Sequence, residues 1–295
     1  MVEIDWSEHA PRLRSSAASE ADWNEQVARQ LVRPGDTVAV DVGCGGGGMA
    51  KALAAALPAG TTVVAIDAHP DVLEQARQHT GGAVRCELAS MDDGPEPLRK
   101  AIDAPASLIW ASASVHHAAD QQAAVNALAS LLAPGGRLAL AEGGLPARSL
   151  PWDLGVGEPG LESRLDVARD QYFRAMRDGL PGSVPMPYGW TDALTRAGLV
   201  DVATRSILTE QSAPLSVPER EKIADKFREW VGRLTGEAEA GHGHGHVGHD
   251  TQWLSPDDLA TWRALLDPDS EHYLVRRTDL AVLSVRSIHL GHAPN

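Results

Sequence analysis

The chain is 295 residues long, 43% hydrophobic and 22% charged, with a formal net charge of −14. This composition suits a folded protein with a sizeable core and excludes a disordered one. The acidic balance repels phosphate and argues against nucleic acid as a partner; no basic run exceeds Arg99-Lys100 or Arg276-Arg277. Two cysteines, Cys44 and Cys86, make no disulfide framework. No apolar stretch approaches the roughly 18 residues of a spanning helix. The opening Met-Val-Glu-Ile-Asp-Trp has neither the basic nor the apolar part of a leader. A cytoplasmic protein with no membrane partner is expected, and the excess of Arg over Lys, with abundant Ala and Gly, fits a GC-rich bacterial genome.

In chain order, residues 1–34 read as an N-terminal helical cap, with Asp22 capping a helix that carries Trp23, Val27 and Leu31 on one face. Residues 35–144 then alternate. Thr37–Val42, Thr62–Ile66, Val84–Leu88, Leu108–Ala111 and Arg137–Ala141 read as strands. Met49–Leu57, Asp71–His79, Pro97–Ile102 and Gln121–Leu132 read as the helices between them, the last capped by Asp120 and stopped by Pro134-Gly135-Gly136. Such alternation predicts an α/β fold, a parallel sheet with helices on both faces. Residues 145–189 are rich in Pro and Gly around a helix at Leu161–Arg177. A helix at Thr191–Ala197 and a strand at Val202–Leu208 continue the core over 190–210. Residues 211–271 hold a helix with a capping box, Ser216-x-x-Glu219, a Gly/His loop and a helix from Ser255 to Leu266. A last strand, Leu280–Leu290, lies within 272–295.

The chemistry is concentrated after the first strand, in Asp41-Val-Gly43-Cys44-Gly45-Gly-Gly47-Gly48, with five glycines in six residues. Bare backbone there can approach a ligand closely, and the following helix offers free N–H groups. Gly43-x-Gly45-x-x-Gly48 fits a dinucleotide fingerprint, whose amides would meet a diphosphate. Asp41-x-Gly43-x-Gly45-x-Gly47 fits an aminoacyl nucleoside, whose carboxylate suits the amides and whose ammonium suits Asp41. Asp67 ends the second strand, where an acid can take both ribose hydroxyls; that supports a nucleoside without choosing one.

Four segments in order resemble class I S-adenosylmethionine-dependent methyltransferases of the small-molecule group: the Asp41–Gly47 stretch, Ile66-Asp67, Leu131-Leu-Ala-Pro-Gly-Gly-Arg-Leu138, and Leu194-Thr-Arg-Ala-Gly-Leu199. The resemblance implies a Rossmann-like, seven-stranded, mostly parallel sheet with the last strand inserted antiparallel, plus helical insertions. It makes 35–144 the S-adenosylmethionine-binding core, 145–189 a substrate-covering insertion and 211–271 a helical insertion. It implies S-adenosyl-L-methionine as cofactor, held by Asp41, Gly43, Cys44, Gly45, Gly47, Asp67, Ala68, Ser90, Met91, Asp92 and Ala111. Met91 would supply a backbone contact to the adenine and Asp92 would accept its amine; Ser90 stands where the family usually has Asp.

In-line methyl transfer needs a base only where the acceptor must lose a proton. His116 and His117 follow the fourth strand at the carboxyl edge and are the candidate bases. Trp110 and Trp190 read as core, whereas Trp152 and Tyr188 are candidates for contact with a ligand. Four imidazoles, His242, His244, His246 and His249, lie within eight residues; a loop of this composition binds metal opportunistically, and a metal site is the minority reading. The expected partner is a small-molecule methyl acceptor, with a second copy of the chain a further candidate. The alternatives are an NAD(P)-dependent oxidoreductase, which the glycine fingerprint also fits, and a non-catalytic nucleoside- or metal-binding module. No Tyr-x-x-x-Lys hydride-transfer pair occurs in the chain.

Overall fold

The computed structural model describes residues 17, 20–211, 213–237 and 253–295. The histidine run lies outside them. The strands are β1 (Val38–Val42), β2 (Thr62–Asp67), β3 (Arg85–Leu88), β4 (Ala106–Ser112), β5 (Leu132–Arg148), β6 (Val200–Gln211) and β7 (Val282–His292). Before and between them lie α1 (Ala21–Leu31), α2 (Gly48–Ala56), α3 (Pro70–Thr80), α4 (Pro95–Ile102), α5 (Gln121–Ala129), α6 (Leu161–Asp178), α7 (Trp190–Arg196), α8 (Val217–Thr235) and α9 (Pro256–Leu266).

The strands form one sheet in the order β3-β2-β1-β4-β5-β7-β6. β1 pairs in parallel with β2 and β4, β2 with β3, and β4 with β5. Along β5 the partners on β7 run backwards: Ala293 N donates to Gly136 O, whereas a Cβ on Gly144 would stand 2.1 Å from Val285 O. β7 is therefore antiparallel to β5, and the fold is the α/β sheet that the alternation predicts, with the mostly parallel, Rossmann-like arrangement that the resemblance implies. All five residues of β1 are buried, so its apolar run is explained by cover on both faces. The strand order reverses between β1 and β4, and in open α/β sheets ligands bind at the carboxyl ends of the strands at such a point.

The described residues divide into two compact units. One contains Gly144–Leu180 and Ser206–Arg286; the other runs from α1 to Gly143 and adds Pro181–Arg205 and Ser287–Asn295. Residues 181–189 thus go with the sheet core and not with 145–180. The first unit has its own core, where Leu161, Leu165 and Tyr172 of α6 meet Ile223, Phe227 and Val231 of α8 and Trp262 of α9. The Phe227 and Trp262 rings lie 4.8 Å apart. The Ser216 amide and hydroxyl both donate to Glu219, fixing the start of α8. In the second unit Val40, Val64, Ile109, Leu138 and Leu140 pack with Val125 and Leu128 of α5 and Leu194 of α7.

Two local expectations are corrected. Glu20, not Asp22, is the N-cap of α1; the helix begins a residue before Asp22, which lies in the first turn, where its charge favours the positive helix end. Pro134-Gly135-Gly136 does not stop a helix. α5 ends at Ala129, and the three residues lie inside β5 as a bulge: Ala106 faces Leu132 while Leu108 faces Arg137, and Gly135 has φ +67°.

Candidate cofactor and catalytic site

The predicted positions of the sheet core fall within one unit, at the carboxyl ends of β1, β2, β3 and β4. In β1, Asp41 lies between Ala65 of β2 and Trp110 of β4 and is 3% exposed. Its Oδ2 accepts from the amide of Ala50 at 2.9 Å, in the first turn of α2. Burial, with the Asp67 charge nearby and against that hydrogen bond, pushes the carboxyl pKa up to about 7.

The chain then bends. Gly43, Gly45 and Gly47 have φ of +66°, +52° and +76°. The bend is closed by Cys44 N donating to Ile66 O and Gly47 N to Cys44 O. Glycine is required at Gly43 on two grounds: its left-handed backbone, and a Cβ that would lie 2.5 Å from Ser114 Cβ. Cys44 is buried, and burial raises its thiol pKa well above the usual range, so it is an inert member of the bend. Asp67 accepts from the Gly45 amide through Oδ2 and from the His69 amide through Oδ1, both at 3.1 Å. Burial raises its pKa too. Ala68 beside it is exposed.

After β3, Ser90 caps a single 3₁₀ turn, Met91–Asp93, its hydroxyl accepting from Asp92 N. Met91 is half-buried against the apolar core. Asp92 is exposed and its Oδ1 accepts from Ala119 N at 3.1 Å, which ties this turn to the loop after β4. Ala111 is fully buried opposite Val42. Trp110 is buried as core, Tyr188 is half-buried with its hydroxyl on Gln122, and Trp152 is 74% exposed.

His116 and His117 form a 3₁₀ turn with Val115, their rings 4.1 Å apart. His116 has a partner that no sequence motif announces. Glu142, near the end of β5's apolar run, has a side chain 2% exposed, and its Oε2 lies 2.7 Å from His116 Nδ1. Its Oε1 accepts from the amides of Ser114 at 2.9 Å and Val115 at 2.8 Å. The one available signal was an acid closing Leu138-Ala-Leu-Ala at the carboxyl edge of the sheet. Among the described residues no group of three His, Cys, Asp or Glu is placed to hold a metal ion, and no helix is long and apolar enough to cross a membrane.

Residues 40–138 match a family model described as a methyltransferase domain. The ubiquinone biosynthesis O-methyltransferase of Xylella fastidiosa strain 9a5c is 33% identical over 136 residues, 45% of this chain and 52% of the relative. The protein of the same name from Xanthomonas axonopodis pv. citri strain 306 is 34% identical over 119 residues, 39% of this chain and 46% of the relative. The chain thus spans about half the length of the curated relatives it matches. Among solved structures, phosphoethanolamine N-methyltransferase 2 of Haemonchus contortus, in complex with S-adenosyl-L-methionine, aligns with a TM-score of 0.47 at 14% identity, over 93% of this chain and 53% of that one.

Proposed function

We propose that this chain, whose residues 40–138 match a methyltransferase-domain model, transfers a methyl group from S-adenosyl-L-methionine to a small-molecule acceptor. The observation that carries the reading is the meeting of the glycine bend with two buried carboxylates, Asp41 and Asp67, at the ends of adjacent strands. The left-handed backbone at Gly43, Gly45 and Gly47 calls for residues without a Cβ, and a bend of that kind suits a ligand that presses on the main chain. Asp67 would hold two vicinal hydroxyls through the lone pairs that Gly45 and His69 do not use. Asp41 suits an ammonium, and it would be a poor neighbour for the diphosphate of a dinucleotide. In this reading Met91 would pack against the adenine and Asp92 would accept its amine, while Ala111, fully buried, backs the end of β1.

S-adenosyl-L-methionine, when bound, supplies an electrophilic methyl on a sulfonium, and its carbon–sulfur bond breaks as the acceptor's bond to that carbon forms. The chain's own residues orient the partners and exclude water. Where the acceptor atom carries a proton, His116 takes it at Nε2. His116 is favoured over His117 because Glu142 fixes its ring. The names of the relatives support an oxygen acceptor.

Calorimetry with S-adenosylhomocysteine and, separately, with NADH tests the reading. Saturable binding of the first and none of the second is expected. Binding of NADH alone would overturn it in favour of an oxidoreductase.

A further inference from the structure

We propose that the unit built on α6, α8 and α9 carries a binding site for a small molecule with a single carboxylate, held between Lys226 of α8 and Arg169 of α6. The site lies wholly within that unit and is independent of the methyl-transfer reading.

The two helices face each other with charged residues at helical spacing. Glu162, Asp166 and Arg169 share one face of α6, and Lys226, Glu229, Trp230 and Arg233 share one face of α8. The faces meet at Trp230, whose ring centre lies 4.2 Å from the Arg169 guanidinium and 4.7 Å from that of Arg233. The acids at this junction are already engaged. Asp166 is shared by two arginines, Arg148 at the end of β5 and Arg169, the latter at 3.0 Å. Glu229 accepts from Arg233 at 2.8 Å. Glu162 is taken up by backbone: its oxygens accept from the Ser149 amide at 3.0 and 3.1 Å and from the Leu150 amide at 3.0 Å. Two arginines on one acid leave a positive charge over, in a chain whose formal net charge is −14.

Lys226 adds a second. Its side chain is open to solvent, so a ligand can reach it, and among the described residues it forms no hydrogen bond and no ion pair. The charges that act on it are those of Arg169, Glu162, Asp166 and Glu229. Crowding by the surrounding protein and the Arg169 charge lower the ammonium's pKa, against the pull of the three acids. Arg169 is short of a partner as well, because its Nε is buried without an acceptor. The two cations therefore repel each other, and both hold N–H donors with nothing to receive them. A carboxylate is an acceptor through both oxygens and carries the missing counter-charge. Charge number decides between anions. Glu162 and Glu229 stand beside the lysine, so a dianion such as a phosphate monoester meets twice the repulsion of a monoanion, and a neutral ligand leaves both cations unanswered.

Benzoate is the probe, used on the full chain in a buffer free of carboxylate and phosphate. The chain has four lysines, and Lys222, exposed one turn before Lys226, is the internal control. Reductive methylation with formaldehyde, read at each lysine by peptide mass spectrometry, should slow at least about fivefold at Lys226 when benzoate is in excess, with Lys222 changed less than about twofold. Benzamide, the neutral isostere, and phenyl phosphate, the dianion, should protect Lys226 far less. By calorimetry, Lys226→Met should weaken benzoate binding at least about tenfold, as loss of a charge-assisted contact requires. The variant should melt no lower than wild type, since the charge it removes has no partner to lose. Benzoate that leaves the methylation of Lys226 unchanged overturns the inference without any variant having to fold. Equal protection by benzamide, or equal slowing at Lys222, overturns it too.

Discussion

The amide of Gly45 donates to the Asp67 carboxylate at 3.1 Å, so the first glycine bend and the end of the second strand are fastened to each other. Asp67 thus shapes the bend, and under the proposed function its remaining lone pairs would also hold the ligand.

Replacing Asp67 by Ala removes both. Two charge-assisted hydrogen bonds to a ligand, each contributing about 1.5–3 kcal/mol, correspond to a loss of at least about 100-fold in S-adenosylhomocysteine affinity, measured by calorimetry. Asp67→Asn retains an acceptor for Gly45 and should fall between the two. Unchanged affinity in Asp67→Ala would remove Asp67 from the binding site.

Asp41 gives a prediction in pH. Its folded pKa, near 7, lies above the ordinary carboxylate value of 3.8. The folded state therefore binds more protons than the unfolded state between those two values. Stability contributed by this group is greatest at acid pH and is lost as pH rises towards 7. Asp41→Asn, which can still accept from Ala50, should melt higher than wild type at pH 8, with the difference shrinking towards pH 4.5. The ceiling of the gain is about 4 kcal/mol for a shift of about three units. The same variant should bind S-adenosylhomocysteine more weakly, because the ammonium has lost its counter-charge. A variant that is both more stable and a tighter binder would exclude the ammonium role.

Much of this architecture is legible in the residues. β1 and β2 are apolar, β-branched runs; β1 runs through Asp41 into the glycines and β2 closes on Asp67, so their ends and the bend between β1 and α2 are fixed by local chemistry. The bulge in β5 is not, because Pro134-Gly135-Gly136 ends a helix as readily as it interrupts a strand; pairing with Leu108 decides between them. Glu142 is hidden for a different reason. A single acid after Leu138-Ala-Leu-Ala reads as the exposed end of a strand, and only the return of Ser114–His116 over that end makes it a buried acceptor of three contacts. Contacts made across 26 to 28 residues leave no periodic trace in the chain.

Arg137 tests the packing beneath the site. It is 2% exposed, and its guanidinium grips Asp36 through Nη1 at 2.8 Å and Nη2 at 2.6 Å, while Nε donates to Leu31 O at 2.9 Å. Burial raises the Asp36 pKa, but the Arg137 hydrogen bonds and charge outweigh it and hold the carboxyl below its ordinary value. The contribution of this carboxylate is present above the unfolded pKa of 3.8 and is lost as pH falls through the lower folded value. Arg137→Met strands a buried charge and should cost about 3–5 kcal/mol at pH 7, read by denaturant unfolding. Because Asp36 then prefers its neutral form, part of the deficit should return at pH 5. A deficit that is constant between pH 7 and pH 5 would show that packing, and not charge, sets the cost.

Gly48 opens α2 with nothing between its Cα and the first helix: a Cβ there would lie 2.7 Å from Asn24 Nδ2 and 3.2 Å from Ala17. α1 is thus the back wall of the helix whose opening turn carries Ala50, the donor to Asp41. A shortened version of the chain beginning at Pro34 would keep every residue of the glycine bend and yet expose the rear of α2 to water. Any economy of sequence at that end would be felt at the ligand, through a helix left without its backing.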